Sequence, residues 1–228
     1  MDLKKLTAAV ILSSALISSA ASAAQFSDTR GHWAENIIAS LADAGVVHGV
    51  SETEFHPDGT VTRAEFLKMA LGAVNIEDTA YREGECLDVT ASDWYGGCVQ
   101  SALDKGLIPE GMVDNFSVQV IETDDGSKAQ YSGSFHGSLP IKREEMAYLV
   151  QSAYQYSLGA EEMDKLEVPG DLPFEDVSAI SIWAYDGVSQ AYANEFIAGM
   201  GDGTFAPQQT ATRAQAAVII TKMLEKTK

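Results

Sequence analysis

Thr62-Arg63-Ala64-Glu65, Ile141-Lys142-Arg143-Glu144-Glu145 and Thr212-Arg213-Ala214-Gln215 are three copies of one short pattern, and their spacing decides the reading of the chain. Arg63 follows Trp33 by 30 residues and Arg213 follows Trp183 by 30, while Arg143 follows Trp94 by 49, so the middle copy carries 19 additional residues. A second ruler agrees: Phe55, Phe135 and Phe205 each precede the arginine of their copy by eight residues. The copies open at Phe26, Leu87 and Phe174. Self-similarity of this kind marks repeat units, each too small to bury its own apolar face.

Within a copy, the apolar period predicts two helices. After Trp33, Ile37, Ile38 and Leu41 recur at helical spacing, and Gly45 suits a left-handed C-cap. The same short helix is expected from Trp94 through Cys98, Val99 and Ala102 to Gly106, and from Trp183 through Val188 and Ala191 to Asn194, which tolerates the glycine backbone. Turn-rich segments, Ser51 to Thr60 and Gly199 to Gln209, lead into the second helix. Thr62 with Glu65, and Thr212 with Gln215, form capping boxes. Lys142 has no side-chain acceptor, so the middle helix start is expected to be weaker by about 1 kcal/mol.

The second helices are apolar enough to need a common partner, as Phe66, Leu67, Met69 and Leu71 show. The expected fold is mainly α, with three helix-loop-helix repeats packed as a pseudo-threefold assembly. Phe116 to Ile121 alternates, Thr123-Asp124-Asp125-Gly126 turns, and Ala129 to Phe135 follows, which predicts a β-hairpin inserted in the middle repeat near residues 110–134. The repeats are read as residues 24–76, 85–156 and 172–228. Linkers run from Ile76 to Glu85 and from Ser157 to Leu172.

Composition bounds the function. The 228 residues are 46% hydrophobic and 21% charged, as in ordinary globular proteins. Lys4 and Lys5 precede an apolar run from Leu6 to Ile17, and Ala21-Ser22-Ala23 suits a leader peptidase, which predicts a secretory signal peptide over residues 1–23. That run is too short to span a bilayer, so no membrane insertion is expected. The net charge of −18 becomes −19 once the signal is removed. Such acidity excludes nucleic acid and anionic bilayers as partners. An anionic ligand must therefore be held by a few local cations. Cys86 and Cys98 are expected to pair as a disulfide outside the cytoplasm, worth about 3 kcal/mol for so short a loop.

Candidate chemistry sits on the repeated polar and aromatic residues. Arg63, Arg143 and Arg213 fall at the first helical position, where the dipole disfavours a cation, so something else must account for them. Each either pairs with an acid from another repeat or, aided by free N–H groups at the helix start, grips an anion. Trp33, Trp94 and Trp183 either pack in the core or offer a face to a sugar ring. Asp28, Asp88 and Asp176 either accept from sugar hydroxyls or build turns. Glu54-x-His56-x-Asp58-Gly59 follows a calcium loop only in part, and the third copy lacks the carboxylates. The histidines His32, His48, His56 and His136 do not repeat, and no nucleophile or phosphate-loop motif occurs. No catalytic residue, metal or cofactor is expected, and the chain reads as no enzyme.

Phe26-Ser27-Asp28, His32-Trp33-Ala34, Asp58-Gly59-Thr60 and Thr62-Arg63-Ala64-Glu65 together closely resemble the S-layer homology repeat, with Phe174 to Gln215 a second good match and the middle copy a weaker one. The resemblance implies a trimer of repeats whose grooves bind cell-wall carbohydrate, commonly a pyruvylated polymer, or a peptidoglycan-linked glycan. It also implies that Arg63, Arg143 and Arg213 contact the acidic group. Gln215 replaces the family's glutamate, so its groove is expected to be altered or silent. The function implied is that of a noncatalytic, secreted anchoring protein of the cell wall, cell surface or periplasm. Two rivals remain: a structural envelope or surface-layer subunit, and a wall-active glycoside hydrolase. Because Lys228 ends the chain, a noncovalently recruited protein cargo is a further expectation.

Overall fold

Val61, Ile141 and Ala211, each two residues ahead of a repeated arginine, close a ring of backbone hydrogen bonds. Val61 N–H donates to the Ala211 carbonyl (3.1 Å), Ala211 N–H to Ile141 (3.2 Å) and Ile141 N–H to Val61 (2.9 Å). All three side chains are fully buried. In the computed structural model, residues 26–84, 86, 88–123, 126–158, 166 and 170–227 are described. The signal peptide expected at residues 1–23, Leu87, the Asp124-Asp125 turn and most of the linker before Leu172 lie outside the described residues.

The elements are α1 (Glu35–Asp43), α2 (Arg63–Ala73), α3 (Gly96–Asp104), β1 (Asp114–Thr123), β2 (Gly126–Ser134), α4 (Arg143–Ser157), α5 (Tyr185–Ala193) and α6 (Arg213–Lys226), with short 3-10 turns between them. The class is mainly α with one small antiparallel sheet. Helices α2, α4 and α6 pack against one another, and each carries one shorter helix on its outside: α3 on α2, α5 on α4, α1 on α6. Their apolar residues point both to one another and to the outer helices, as expected of helices enclosed on several sides. Phe66, Leu67, Met146, Leu149, Ile220 and Met223 are all at most 1% exposed.

The helix starts follow the polar pattern. Thr62 Oγ1 accepts from Glu65 N–H (3.2 Å) while Glu65 Oε2 accepts from Thr62 N–H (2.8 Å), and Thr212 with Gln215 repeats both bonds. At α4 only the return half exists, from Lys142 N–H to Glu145 Oε2 (3.0 Å). The free N–H groups expected at these helix starts are in fact occupied. Arg63 and Ala64 donate to the carbonyls of Leu139 and Gly137, Arg143 and Glu144 to those of Gln209 and Pro207, and Arg213 and Ala214 to those of Gly59 and Pro57. Each helix start is thus sewn to the turn that precedes the next, because buried backbone donors require acceptors.

At the ends of the outer helices Gly45 (φ 70°) and Gly106 (φ 65°) take the left-handed cap. In the third copy it is Glu195 (φ 63°) rather than Asn194 that does so. Lys222 Nζ donates to the Glu195 carbonyl (2.9 Å) and helps hold that unusual backbone. The insertion is a hairpin, β1 pairing antiparallel with β2 from Asp114↔Ser134 to Thr123↔Gly126. Its foot is tied to the body by buried Met112, Val113 and Phe135, while Val118 and Val120 are exposed.

The expected disulfide is not formed: Cys86 and Cys98 are both free and buried. Repeat alignment put them on neighbouring segments, but a bridge needs converging Cβ vectors, which spacing does not set. The Cys86 thiol donates to Asp88 Oδ1 (3.5 Å), whereas Cys98 on α3 has Asp78 and Lys68 as its charged surroundings. Burial pushes both thiols up to about 12, with Asp88 adding to the effect at Cys86. A raised thiol pKa leaves little thiolate, the reactive form. Alkylation by iodoacetamide at pH 8 should therefore be negligible in the folded protein and consume two thiols per chain in urea. In urea denaturation, Thr212→Ala should cost about 1 kcal/mol and Lys142→Thr should gain a similar amount by completing the missing cap.

Candidate functional site

Asp28, Asp88 and Asp176 shape the floor on which the site is built. Asp28 accepts from the N–H groups of Phe55 (2.9 Å) and His56 (2.7 Å), Asp88 from Phe135 (2.7 Å) and His136 (2.5 Å), and Asp176 from Phe205 and Ala206 (both 2.8 Å). The second residue of each pair is left-handed: His56 (φ 57°), His136 (φ 54°) and Ala206 (φ 55°). A carboxylate bonding two successive N–H groups offsets the cost of that backbone in a residue with a Cβ. Desolvation raises the Asp28 pKa, but the bonds from Phe55 and His56 outweigh it and hold the carboxyl below its ordinary value. The geometry gives these aspartates the turn-forming role.

The turns in turn present carbonyls and rings to the arginines. Arg213 donates through Nε to the Phe55 carbonyl (2.8 Å), through Nη2 to that of His48 (2.8 Å) and through Nη1 to Glu65 Oε1 (2.7 Å). Arg143 makes the first two bonds with Phe205 (2.8 Å) and Ala198 (2.9 Å). Arg63 turns its fork over, donating to the carbonyls of Phe135 (2.5 Å) and Met112, with Glu145 3.6 Å away and Nε unpartnered. The guanidinium carbons lie 4.5–5.1 Å from the ring centres of Phe55, Phe135 and Phe205. Every one of these contacts crosses from one copy of the pattern to another. Burial lowers the pKa of all three, opposed chiefly by Glu145 at Arg63, Asp176 at Arg143 and Glu65 at Arg213. Guanidinium groups nonetheless stay charged at any physiological pH.

Three clefts open beside these arginines, and each takes one tryptophan. Trp33 and Arg143 line a cleft of about 340 Å³ with Met146, Phe196, Met200 and Ile219. Trp94 and Arg213 line one of about 260 Å³ with Val46, Val50 and Met69. Trp183 and Arg63 line one of about 230 Å³ with Met112, Asp114 and His136 at the foot of the hairpin. The tryptophans divide. Trp33 is 64% and Trp94 60% exposed, so packing does not account for them. Trp183 is half-buried, meets Tyr148 edge to face at 5.7 Å, and lies so close over Gly111 that a Cβ there would be 2.2 Å from the indole.

The motif spacing did not reveal several groups at these clefts. Glu65, read as a capping residue, and Glu145 each reach across to an arginine of another copy. Lys68 of α2 and Lys222 of α6 line the Trp94 and Trp33 clefts. Glu144, 1% exposed, holds the segment leading to Trp183: it accepts from Ser181 N–H and Oγ (2.8 Å each) and from Gln208 Nε2 (2.8 Å). Alanine at the corresponding positions, 64 and 214, was the available signal.

An exposed indole and a buried guanidinium differ in what they hold together. Arg213→Ala should destabilise the fold by about 3–5 kcal/mol, because it strands Glu65 and two buried carbonyls. Trp33→Ala should change stability by less than about 0.5 kcal/mol. Paired urea titrations check both, and equal costs would contradict the division of roles.

The S-layer homology domain is recognised at residues 25–67 and 173–217. The chain is 36% identical over 201 residues to an amylopullulanase of Thermoanaerobacterium thermosulfurigenes, and 36% over 201 residues to the exoglucanase XynX of Acetivibrio thermocellus. It is 27% identical over 223 residues to the surface-layer 125 kDa protein of Lysinibacillus sphaericus. These alignments cover 88%, 88% and 95% of this chain but only 10%, 16% and 16% of the relatives. What is shared with the two enzymes is thus a small part of each. Residues 25–67 and 173–217 are S-layer homology domains, one toward each end of the chain.

Proposed function

We propose that this protein is a noncatalytic anchoring module, exported and held at the cell wall or cell surface by binding an envelope glycan. Residues 85–156 supply a third repeat, so that three copies surround a pseudo-threefold axis through the Val61, Ile141 and Ala211 ring. The observation that carries the reading is the cleft architecture: an indole beside a guanidinium, from different copies, with two of the indoles solvent-facing. A flat apolar ring beside a cation suits a sugar that bears an acidic substituent. A chain of net charge −18 gains such a ligand only through local cations, so recognition should weaken as salt rises. The names of relatives fit this reading, since an amylopullulanase, an exoglucanase and a surface-layer protein each match this chain over a small part of their length despite their different names. The arginines join copies within one chain, which favours a monomeric module over an assembly held by arginines between chains.

Because the arginines hold the fold together, the tryptophans make the cleaner test. The purified protein should pellet with isolated cell walls. Trp33→Ala combined with Trp94→Ala should leave it in the supernatant with an unchanged circular dichroism spectrum and melting temperature. Undiminished pelleting of that folded double variant would overturn the proposal.

A further inference from the structure

We infer that the three clefts are not equivalent: the Trp33 cleft is the principal site for an acidic sugar, and Gln215 is the residue that makes it so. The inference rests on the anchoring reading above and adds to it which cleft carries the charge.

Arg143 and Arg213 make the same two carbonyl bonds, through Nε and Nη2. They differ at Nη1. On Arg213 it donates to Glu65 at 2.7 Å. The residue at the matching helix position beside Arg143 is Gln215, which lines the cleft with it, and no described residue accepts from Nη1 of Arg143. Arg143, a residue only 8% exposed, therefore keeps an unused donor at a cleft wall, and Asp176 in the turn beneath balances its charge without the added carboxylate that Glu65 gives Arg213. Such a group favours an entering anion, because a charge-assisted bond there replaces an unmet one.

The surrounding charges sharpen the contrast. Lys222 is the second cation of the Trp33 cleft, its ammonium bonded to a neutral carbonyl, and no carboxylate lines that cleft. In the Trp94 cleft Glu65 matches Arg213, and Asp78 lies 2.6 Å from Lys68. In the Trp183 cleft Arg63 and Lys142 face Asp114, Glu144 and Glu145, and the indole is packed down on Gly111. Of the three clefts, the one beside Trp33 has two cations and no lining carboxylate.

Glutamine achieves this without loosening the helix. Gln215 Oε1 accepts from Thr212 N–H at 3.0 Å, as Glu65 Oε2 does from Thr62 N–H at 2.8 Å, so the cap survives and only the charge is gone. The groove expected to be altered or silent is thereby the one with two cations and no lining carboxylate. The ligand it fits is a pyranose lying against Trp33 with a carboxylate directed at Arg143.

The chain has three tryptophans, one per cleft, so each indole N–H signal in a 15N correlation spectrum reports one site. Glucuronate is the probe and glucose its neutral control. Glucuronate should move the Trp33 signal at a concentration at least tenfold lower than the Trp94 signal, and glucose should not reproduce the effect. Gln215→Glu, which keeps the cap, should raise the concentration needed at Trp33 about tenfold or more without altering Trp94. Glu65→Gln should lower the concentration needed at Trp94. Simultaneous responses at Trp33 and Trp94, or an unchanged Trp33 response in Gln215→Glu, would overturn the ranking. If the protein still pellets with walls in that case, the anchoring reading stands alone. If it neither pellets nor responds at any indole, both fall.

Discussion

The structure depends on buried guanidinium groups satisfied by carbonyls of another copy of the same pattern. An arginine removed from water is costly unless its donors are met and its charge is balanced. Here the Asp28, Asp88 and Asp176 carboxylates bend three turns so that the carbonyls of Phe55, Phe135 and Phe205 meet those donors. The phenylalanine rings lie under the guanidinium planes. Around this, the Val61, Ile141 and Ala211 ring and the paired helix-start bonds sew each second helix to a neighbouring turn. Removing one arginine therefore strands several groups of the neighbouring copy at once.

The same constraint makes the clefts. Because each arginine must reach across to a neighbouring turn, it ends at the seam between copies, and the seam opens outward where the tryptophan of the remaining copy stands. A structural role and a role in recognition are then not alternatives. The carbonyl bonds fix the guanidinium, and at Arg143 and Arg213 they leave Nη1 beside the cleft, whereas Arg63 leaves a buried Nε. The third residue of the facing helix then differs: Glu65 accepts from Nη1 of Arg213, Glu145 lies 3.6 Å from Nη2 of Arg63, and Gln215 stands beside Arg143.

Much of the architecture was legible because the repeat makes local signals reinforce one another. The eight-residue interval from phenylalanine to arginine, the Thr-x-x-Glu caps and the 3.6-residue period located α1 to α6 and the helix starts. The alternation of Phe116 to Ile121 located the hairpin. What misled were inferences about side-chain direction. Cys86 and Cys98 were placed on adjoining segments but not aimed at each other. Helix-start N–H groups looked free until the carbonyls of Leu139, Gln209 and Gly59 were found on them. The left-handed cap expected at Asn194 falls on Glu195, which stands 12 residues after Trp183 as Gly45 does after Trp33 and Gly106 after Trp94, so the register of the helix sets the position over residue preference.

By itself the sequence determined the copies, their helices, the insertion and the residues that recur, since all of these follow from period and local backbone preference. Only the tertiary structure decided which copy each arginine reaches, why Trp33 and Trp94 stand in solvent while Trp183 lies on Gly111, and which cation lacks a carboxylate. Those outcomes depend on groups brought together from positions up to 165 residues apart, as with Arg213 and His48. Burial and charge pairing are properties of such neighbours, and no local pattern encodes them.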